Sequence, residues 1–386
     1  MVRDGRRPEA LGVRAYGVGG RGWVARGGER VDLGLKSEGG GAVVRTDTVV
    51  AWGEVGLAVR AVDRMDGTGF GYGLKEVAVV ADGVETFRYR PEVFAFGESG
   101  FINSCIDFGE WKASGRFWLK TFTEPGNGTR FVASRGRGII DVREERDYDV
   151  RIVLKDIYGN GTEVRVVLRG ERRELKSERK DGGVQLRWYE AGRVEVGGMR
   201  LELEEGCLYD SHYIRYDVEE GQGVISKVYR LKGDPVALKF GAGIEIMVDG
   251  GVEIGRAGIV RIERGGSRMV WIGGRRGDGV VAATVGELGS FAVAVDSVCP
   301  VIVPVGEASW GAKGEVRMRI GDGFSGVGSL RGEIDGRFAL FEYDAKSGMV
   351  SYRYDRSRVA PGVHRVALRV ADRAGNVSLK EFTVRF

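Results

Sequence analysis

Two stretches far apart in the chain share one grammar. Val150 to Leu168 alternates apolar and polar residues on both sides of Asp156-Ile-Tyr-Gly-Asn160, and Val366 to Ser378 does the same around Asp372-Arg-Ala-Gly-Asn376. An alternation of period two places one face of a strand in a core, and Asp-x-x-Gly-Asn supplies the positive φ and the local side-chain hydrogen bonds of a hairpin. Each copy reads as the last hairpin of a β-sandwich.

A chain of 386 residues is too long for one such core and suits about two to four domains at the usual ~100–200 residues each. Glycine contributes 65 residues, more than twice the usual ~7%. With no strict period these glycines indicate turns rather than collagen. Because glycine inside a strand weakens it by up to about 1 kcal/mol, most are expected in loops and a handful at bulges. The 59 Lys+Arg against 55 Asp+Glu leave a net charge of only +4. The two signs alternate locally, as in Arg143-Glu-Glu-Arg146, where a nucleic-acid binder would gather its basic residues, so no nucleic-acid partner is expected.

Apolar runs such as Val77-Ala-Val-Val-Ala81 fall far short of the ~20 residues of a membrane helix, so no membrane span is expected. Met1 to Pro8 is charged and lacks the apolar core of a secretory signal, so no signal peptide is expected in this chain. Cys105, Cys207 and Cys299 are too few and odd in number for a disulfide framework and are expected to be buried free thiols.

The pattern divides the chain into three consecutive β-sandwich domains, an all-β fold. The first, residues 9–171, contains the strand Leu57 to Val62 ended by Asp63, the strand Leu74 to Val80 running into the Asp82-Gly83 turn, and the Asp156 hairpin. Leu175 to Gly183 reads as a linker. The second domain, 184–298, shows eight short strands without a helical stretch. The third, 304–386, follows the two prolines of Cys299-Pro-Val-Ile-Val-Pro304 and repeats the grammar of the first. Asp322 answers to Asp63, Asp335-Gly336 to Asp82-Gly83, and Asp372 to Asp156. The first and third domains are therefore expected to be immunoglobulin-like.

An aromatic-rich insertion at 91–128 interrupts the first domain, with Phe94, Phe96, Phe101, Phe108, Trp111, Phe117, Trp118 and Phe122. Asp107 to Ser114 within it has room for one or two helical turns. Large apolar side chains are usually buried, so the insertion is expected to pack as an arm over the open end of the sandwich. The rival use is a stacking platform for sugars or peptides, for which Trp111 and Trp118 are the candidate binding residues.

Catalytic chemistry is not indicated. The only histidines, His212 and His364, fall in different expected domains, whereas a catalytic zinc needs about three protein ligands held together. No H-x-H, H-E-x-x-H or C-x-x-C spacing occurs. Asp210, Ser211 and His212 are neighbours on one short loop and cannot face one another as a relay. The acidic loops Asp63-Arg-Met-Asp66 and Asp322-Gly-Phe-Ser325 supply too few carboxylates for calcium and read as turn formers. No catalytic residue, metal ligand or cofactor is expected, and Asn127-Gly-Thr129 and Asn160-Gly-Thr162 read as turns.

Several short motifs carry a family likeness. Val59 to Thr68, Tyr72 to Val77, Phe122 to Asn127, Glu144 to Tyr148 and Asp156 to Asn160 resemble the region that follows the catalytic domain in lysostaphin-type zinc metallopeptidases of Gram-negative bacteria, metallopeptidase family twenty-three. Gly206 to Asp210, Gly289 to Asp296, Arg331 to Gly336 and Phe341 to Asp344 resemble later parts of the same proteins, and Asp4 to Pro8 resembles the linker after the peptidase domain. In that family an upstream domain binds zinc through H-x-x-x-D and H-x-H motifs and cuts bacterial wall peptides; neither motif has a counterpart here.

The resemblance implies a non-catalytic accessory region that positions or regulates a cell-wall zinc peptidase, in the periplasm or cell envelope. Its partners would be an upstream or separate zinc peptidase domain and peptidoglycan. The alternative is a ligand-binding or adhesion module of the bacterial envelope.

Overall fold

The computed structural model describes residues 4–25, 28–38, 41–175, 182–248, 253–263 and 266–386; most of the expected linker at Leu175–Gly183 lies outside them. The chain is mostly β, and its strands surround three large apolar cores.

The first core is enclosed by a hydrogen-bonded path of strands 30–33, 9–24, 49–62, 161–170, 147–155, 76–81, 84–89 and 132–134. Leu33 from one end of this path and Phe87 from near the other lie in the same core as Val13, Leu57, Ile152 and Val164. The sheet therefore folds over on itself. In the closing strand Asp147–Lys155 every second residue is buried while those between are exposed or half-buried, as a period of two requires.

The second core lies between two five-stranded sheets, one carrying 192–196, 199–203, 236–247, 280–288 and 275–277, the other 216–219, 228–231, 290–295, 257–263 and 268–273. Val236–Met247 is one strand with a bulge between Ala237 and Ala242. The third core lies between two four-stranded sheets that end in the hairpin 363–372/377–385.

The first and third units share a set of turn and hairpin bonds. Asp82 and Asp335 adopt φ of 47° and 49°, followed by Gly83 and Gly336 at 82° and 75°, the two positive values that a two-residue hairpin turn demands. Asp82 exchanges its N–H and a carboxylate oxygen with the backbone of Asp149, and Asp335 does the same with Arg365. In the closing hairpins Asn160 Nδ2 donates to Asp156 Oδ2 at 2.7 Å and Asn376 Nδ2 to Asp372 Oδ2 at 2.7 Å.

Those amides also reach back to the segment that leads into each unit. Asn160 Nδ2 donates to Asp4 O and Asn376 Nδ2 to Asp296 O, while Thr162 Oγ1 donates to Pro8 O and Ser378 Oγ to Pro300 O. Asp4-Gly-Arg-Arg-Pro8 and Asp296-Ser-Val-Cys-Pro300 are thus matching entry segments. Asp296, placed by sequence in the second domain, serves the third.

Some of the strand glycines lie under aromatic rings. A Cβ on Gly12 would sit 2.7 Å from the Trp118 ring, one on Gly56 2.4 Å from Phe122, and one on Gly332 1.9 Å from Phe341. The ring covers backbone that a side chain would otherwise shield, which offsets the weakness of glycine in a sheet. Cys105 and Cys207 are buried thiols, but Cys299 is exposed, since it belongs to an entry segment rather than to a core. Gly12→Ala is expected to displace Trp118 and destabilise the chain by ~1–3 kcal/mol, seen as a lower urea midpoint with near-UV circular dichroism altered in the tryptophan region.

Candidate functional site

The insertion at 91–128 is a wedge between the first and second units. Asp107 caps the helix Phe108–Ser114 by accepting the Glu110 N–H at 3.1 Å, and Gly115 closes it at φ 71°. The same carboxylate accepts Tyr16 OH at 2.7 Å and Arg14 Nη1 at 3.0 Å. Arg14 also pairs with Asp32 and Glu110. Burial works to raise the Asp107 carboxyl, but hydrogen bonds from Tyr16, the Glu110 N–H and Arg14 outweigh it and hold the group below its ordinary range. Burial, reinforced by the Asp107 charge, pushes the Tyr16 phenol up, so it remains a donor.

The wedge grips the second unit through both its ends and its helix. Tyr209 OH donates to Gly100 O at 2.9 Å, and Gly126 N–H to Tyr209 O at 2.7 Å. Lys112 Nζ lies 3.0 Å from Glu287 Oε2 and 3.6 Å from Glu263 Oε1. The arm therefore packs between domains rather than over an open end.

The two candidate indoles part company here. Trp118 is 3% exposed and lies under the Arg14 and Arg60 guanidiniums, 4.3 and 5.5 Å from its ring. No face of it is open to a ligand, so Trp118 is corrected from binding candidate to packing residue. Trp111 is 41% exposed, with Phe94, Phe96 and Phe117 also at the surface.

A polar cleft of about 740 Å³ opens beside the wedge, between the first and second units. The first contributes Val18 to Arg21, Glu29, Pro125 and Arg137; the second contributes Trp188, Asp210 to Tyr213, Arg215 and Lys232. Four of these are permanent cations. Arg21 is held bidentate by Glu54, at 2.7 and 2.8 Å, and Lys232 pairs with Asp217. Arg137 has no ion pair among the described residues, and it stands at φ 59° between Gly136 at 57° and Gly138 at 75°. A non-glycine residue in that conformation stores ~1–3 kcal/mol of strain, a feature that gathers at ligand sites. The sequence offered only Gly-Arg-Gly as a hint. Asp210 and Ser211 are spent on the backbone, Asp210 Oδ1 accepting the Ser211 N–H and Ser211 Oγ the Trp188 N–H.

Elsewhere the structure gathers aspartates that the sequence scatters. Asp4, Asp63 and Asp156 form one group, and Asp296, Asp322 and Asp372 another, each within 4.8 Å. Burial, with the Asp156 and Asp4 charges, raises the Asp63 carboxyl above its usual range. The histidines do not converge: His212 lines the cleft, while His364 belongs to the third unit, its Nδ1 2.7 Å from Asp335 Oδ2 and its Nε2 2.7 Å from Ala360 O.

Residues 184–296, the middle unit, match the model of the Zu5-like domain. No curated protein sequence matches the chain. Among solved structures, a 1.5-MDa bacterial ice-binding adhesin aligns at 12% identity over 92% of this chain and 97% of that one, with a TM-score of 0.16. Mouse cadherin-23, repeats EC22–24, aligns at 12% identity over 85% and 90%, at 0.15. A Bacteroides ovatus glucan-utilisation protein, SGBP-B, aligns at 12% over 80% and 60%, at 0.15. Scores this low transfer no property to the present chain.

The Asp335 hydrogen bond raises His364 above 6.5, so the pair stabilises the third unit fully below pH 6.5 and loses that contribution as pH climbs through the raised value. At the acidic end, the His364 hydrogen bond and the Arg365 N–H hold Asp335 below 3.8; this contribution is present above 3.8 and fades as pH falls through the depressed value. Thermal unfolding followed against pH is expected to show both slopes, and His364→Gln to remove the upper one.

Proposed function

We propose that this chain is a non-catalytic binding module of the bacterial cell envelope, in which two immunoglobulin-like sandwiches flank a Zu5-like domain, and that it holds peptidoglycan in the cleft between the first two units. The observation that carries the reading is the cleft itself. Arg21, Arg137, Arg215 and Lys232 stand against the acids Glu29 and Asp210, with the partly buried Trp188 indole among them.

Guanidinium groups bind carboxylates bidentately, and an indole stacks on a sugar face. Wall stem peptides carry the former chemistry and wall glycan the latter. An open, polar, cation-lined groove suits a polymer that passes across it better than a small apolar ligand enclosed on all sides. Arg137 carries the most weight because it is fixed by a strained backbone, makes no ion pair among the described residues and so loses least when a carboxylate arrives.

The family likeness of Val59 to Thr68 and Asp156 to Asn160 supports the same setting. Such a module would present wall polymer to a zinc peptidase carried upstream or by another chain. It would not cut the polymer itself, since Asp210 and Ser211 already serve the backbone and His364 is held by Asp335 and Ala360.

Co-sedimentation with purified peptidoglycan sacculi tests the reading. The intact chain is expected to sediment, and Arg137→Ala combined with Arg215→Ala to weaken binding by about tenfold or more, as for loss of ~1.4 kcal/mol or more in paired contacts. Binding is expected to weaken with salt. Failure of the intact chain to sediment overturns the ligand; chelator-sensitive release of wall peptides by this chain alone overturns the non-catalytic part.

A further inference from the structure

The aspartate group on the first unit is more than a set of turn formers. Asp63 is 3% exposed, yet its Oδ1 has no hydrogen-bond partner, and Asp4 Oδ2, equally shut off from solvent, has none either. The remaining Asp4 oxygen accepts the N–H groups of Arg6 and Asp66. Asp156 Oδ1 accepts those of Tyr158 and Asn160, and its Oδ2 accepts Asn160 Nδ2. Two carboxylate oxygens are therefore left inside the cluster without a proton donor. Among the described residues, no lysine or arginine ion-pairs with Asp4, Asp63 or Asp156. Buried anionic oxygens of this kind need a positive partner.

We infer that Asp4, Asp63 and Asp156 bind a divalent cation of the calcium type. The donors are all hard oxygens, with neither imidazole nor thiolate, which disfavours zinc and copper. Calcium takes six to eight oxygens at ~2.3–2.6 Å in flexible geometry, so ligands on opposite sides of the ion stand ~5 Å apart, compatible with a cluster spanning 4.8 Å. Magnesium demands ~2.0–2.1 Å and keeps most of its water. Asp156 Oδ2, which accepts only the Asn160 Nδ2 hydrogen, keeps a second lone pair for the ion, while Oδ1 is filled by its two N–H partners. Bound there, the ion ties the segment entering the first strand to the 63–66 loop and to the closing hairpin.

The matching group on the third unit is the internal control. Asp296 Oδ1 accepts the Val298 N–H and its Oδ2 the Ser325 N–H at 3.0 Å. Asp322 Oδ1 accepts Phe324 and Gly326, and Asp372 Oδ1 accepts Gly375 and Asn376. Ser325 N–H thus fills the Asp296 oxygen whose counterpart on Asp4 is unpartnered, and no Asp322 oxygen is buried without a partner as Asp63 Oδ1 is, so the inference is confined to the first unit.

Calorimetric titration of the full chain with calcium chloride, and its thermal unfolding with millimolar calcium or with chelator, test the site without reference to the cleft. One calcium per chain is expected, with a higher unfolding temperature in calcium than in chelator and a weaker response to magnesium. Asp63→Asn and Asp4→Asn are each expected to weaken calcium binding by about tenfold or more, through the lost ligand charge, and Asp322→Asn to leave it unchanged. Far-UV circular dichroism confirms that each variant is folded. No heat and no thermal shift in the unsubstituted chain overturns the site, as does loss of binding in Asp322→Asn with retention in folded Asp63→Asn and Asp4→Asn.

Discussion

The architecture depends on Arg14. Its guanidinium is almost wholly buried, lies over the Trp118 ring, and gathers Asp32 from one strand and Asp107 and Glu110 from the insertion helix. A buried cation left without its acids costs several kcal/mol, so strand 9–24 and the insertion must stay together. The insertion in turn carries Lys112 and Gly126 to the second unit. Remove the buried charge and the wedge loses its anchor, and with it the wall of the cleft. A polar network of this kind specifies one docking of two domains where apolar packing alone would allow several.

The strands themselves were largely legible. Alternation marked the closing hairpins, and Asp82-Gly83 and Asp335-Gly336 announced turns that the structure builds with matching φ values and matching bonds. What escaped was the pairing of each hairpin with its entry segment. Asp4 and Asp296 lie far along the chain from Asn160 and Asn376, and separations of 160 − 4 = 156 and 376 − 296 = 80 residues leave no local period to notice. The shared Asp-x-x-x-Pro spelling was the available signal. Glycine was legible as a residue that weakens a strand, but not the ring that lies over Gly12 or Gly332.

The cleft was legible only in pieces. Tyr209-Asp-Ser-His-Tyr213 stood out as an isolated histidine loop, but its neighbours Arg21 and Arg137 come from another unit, and no spacing rule links them. Trp118 drew attention for its chemistry while its surroundings, two guanidiniums and a glycine, decided its role. Aromatic composition says that rings are present; only packing says which face is free.

The entry segments have a mechanical side. In the first unit Pro8 is bonded to Thr162 at the start of the closing strand, and the chain leaves after that strand's far end at Gly170. In the third, Pro300 is bonded to Ser378 near the start of the strand that runs to Arg385. Tension drawn along the polypeptide therefore runs lengthwise down a strand and loads its ladder in shear, many rungs at once, instead of peeling them apart singly.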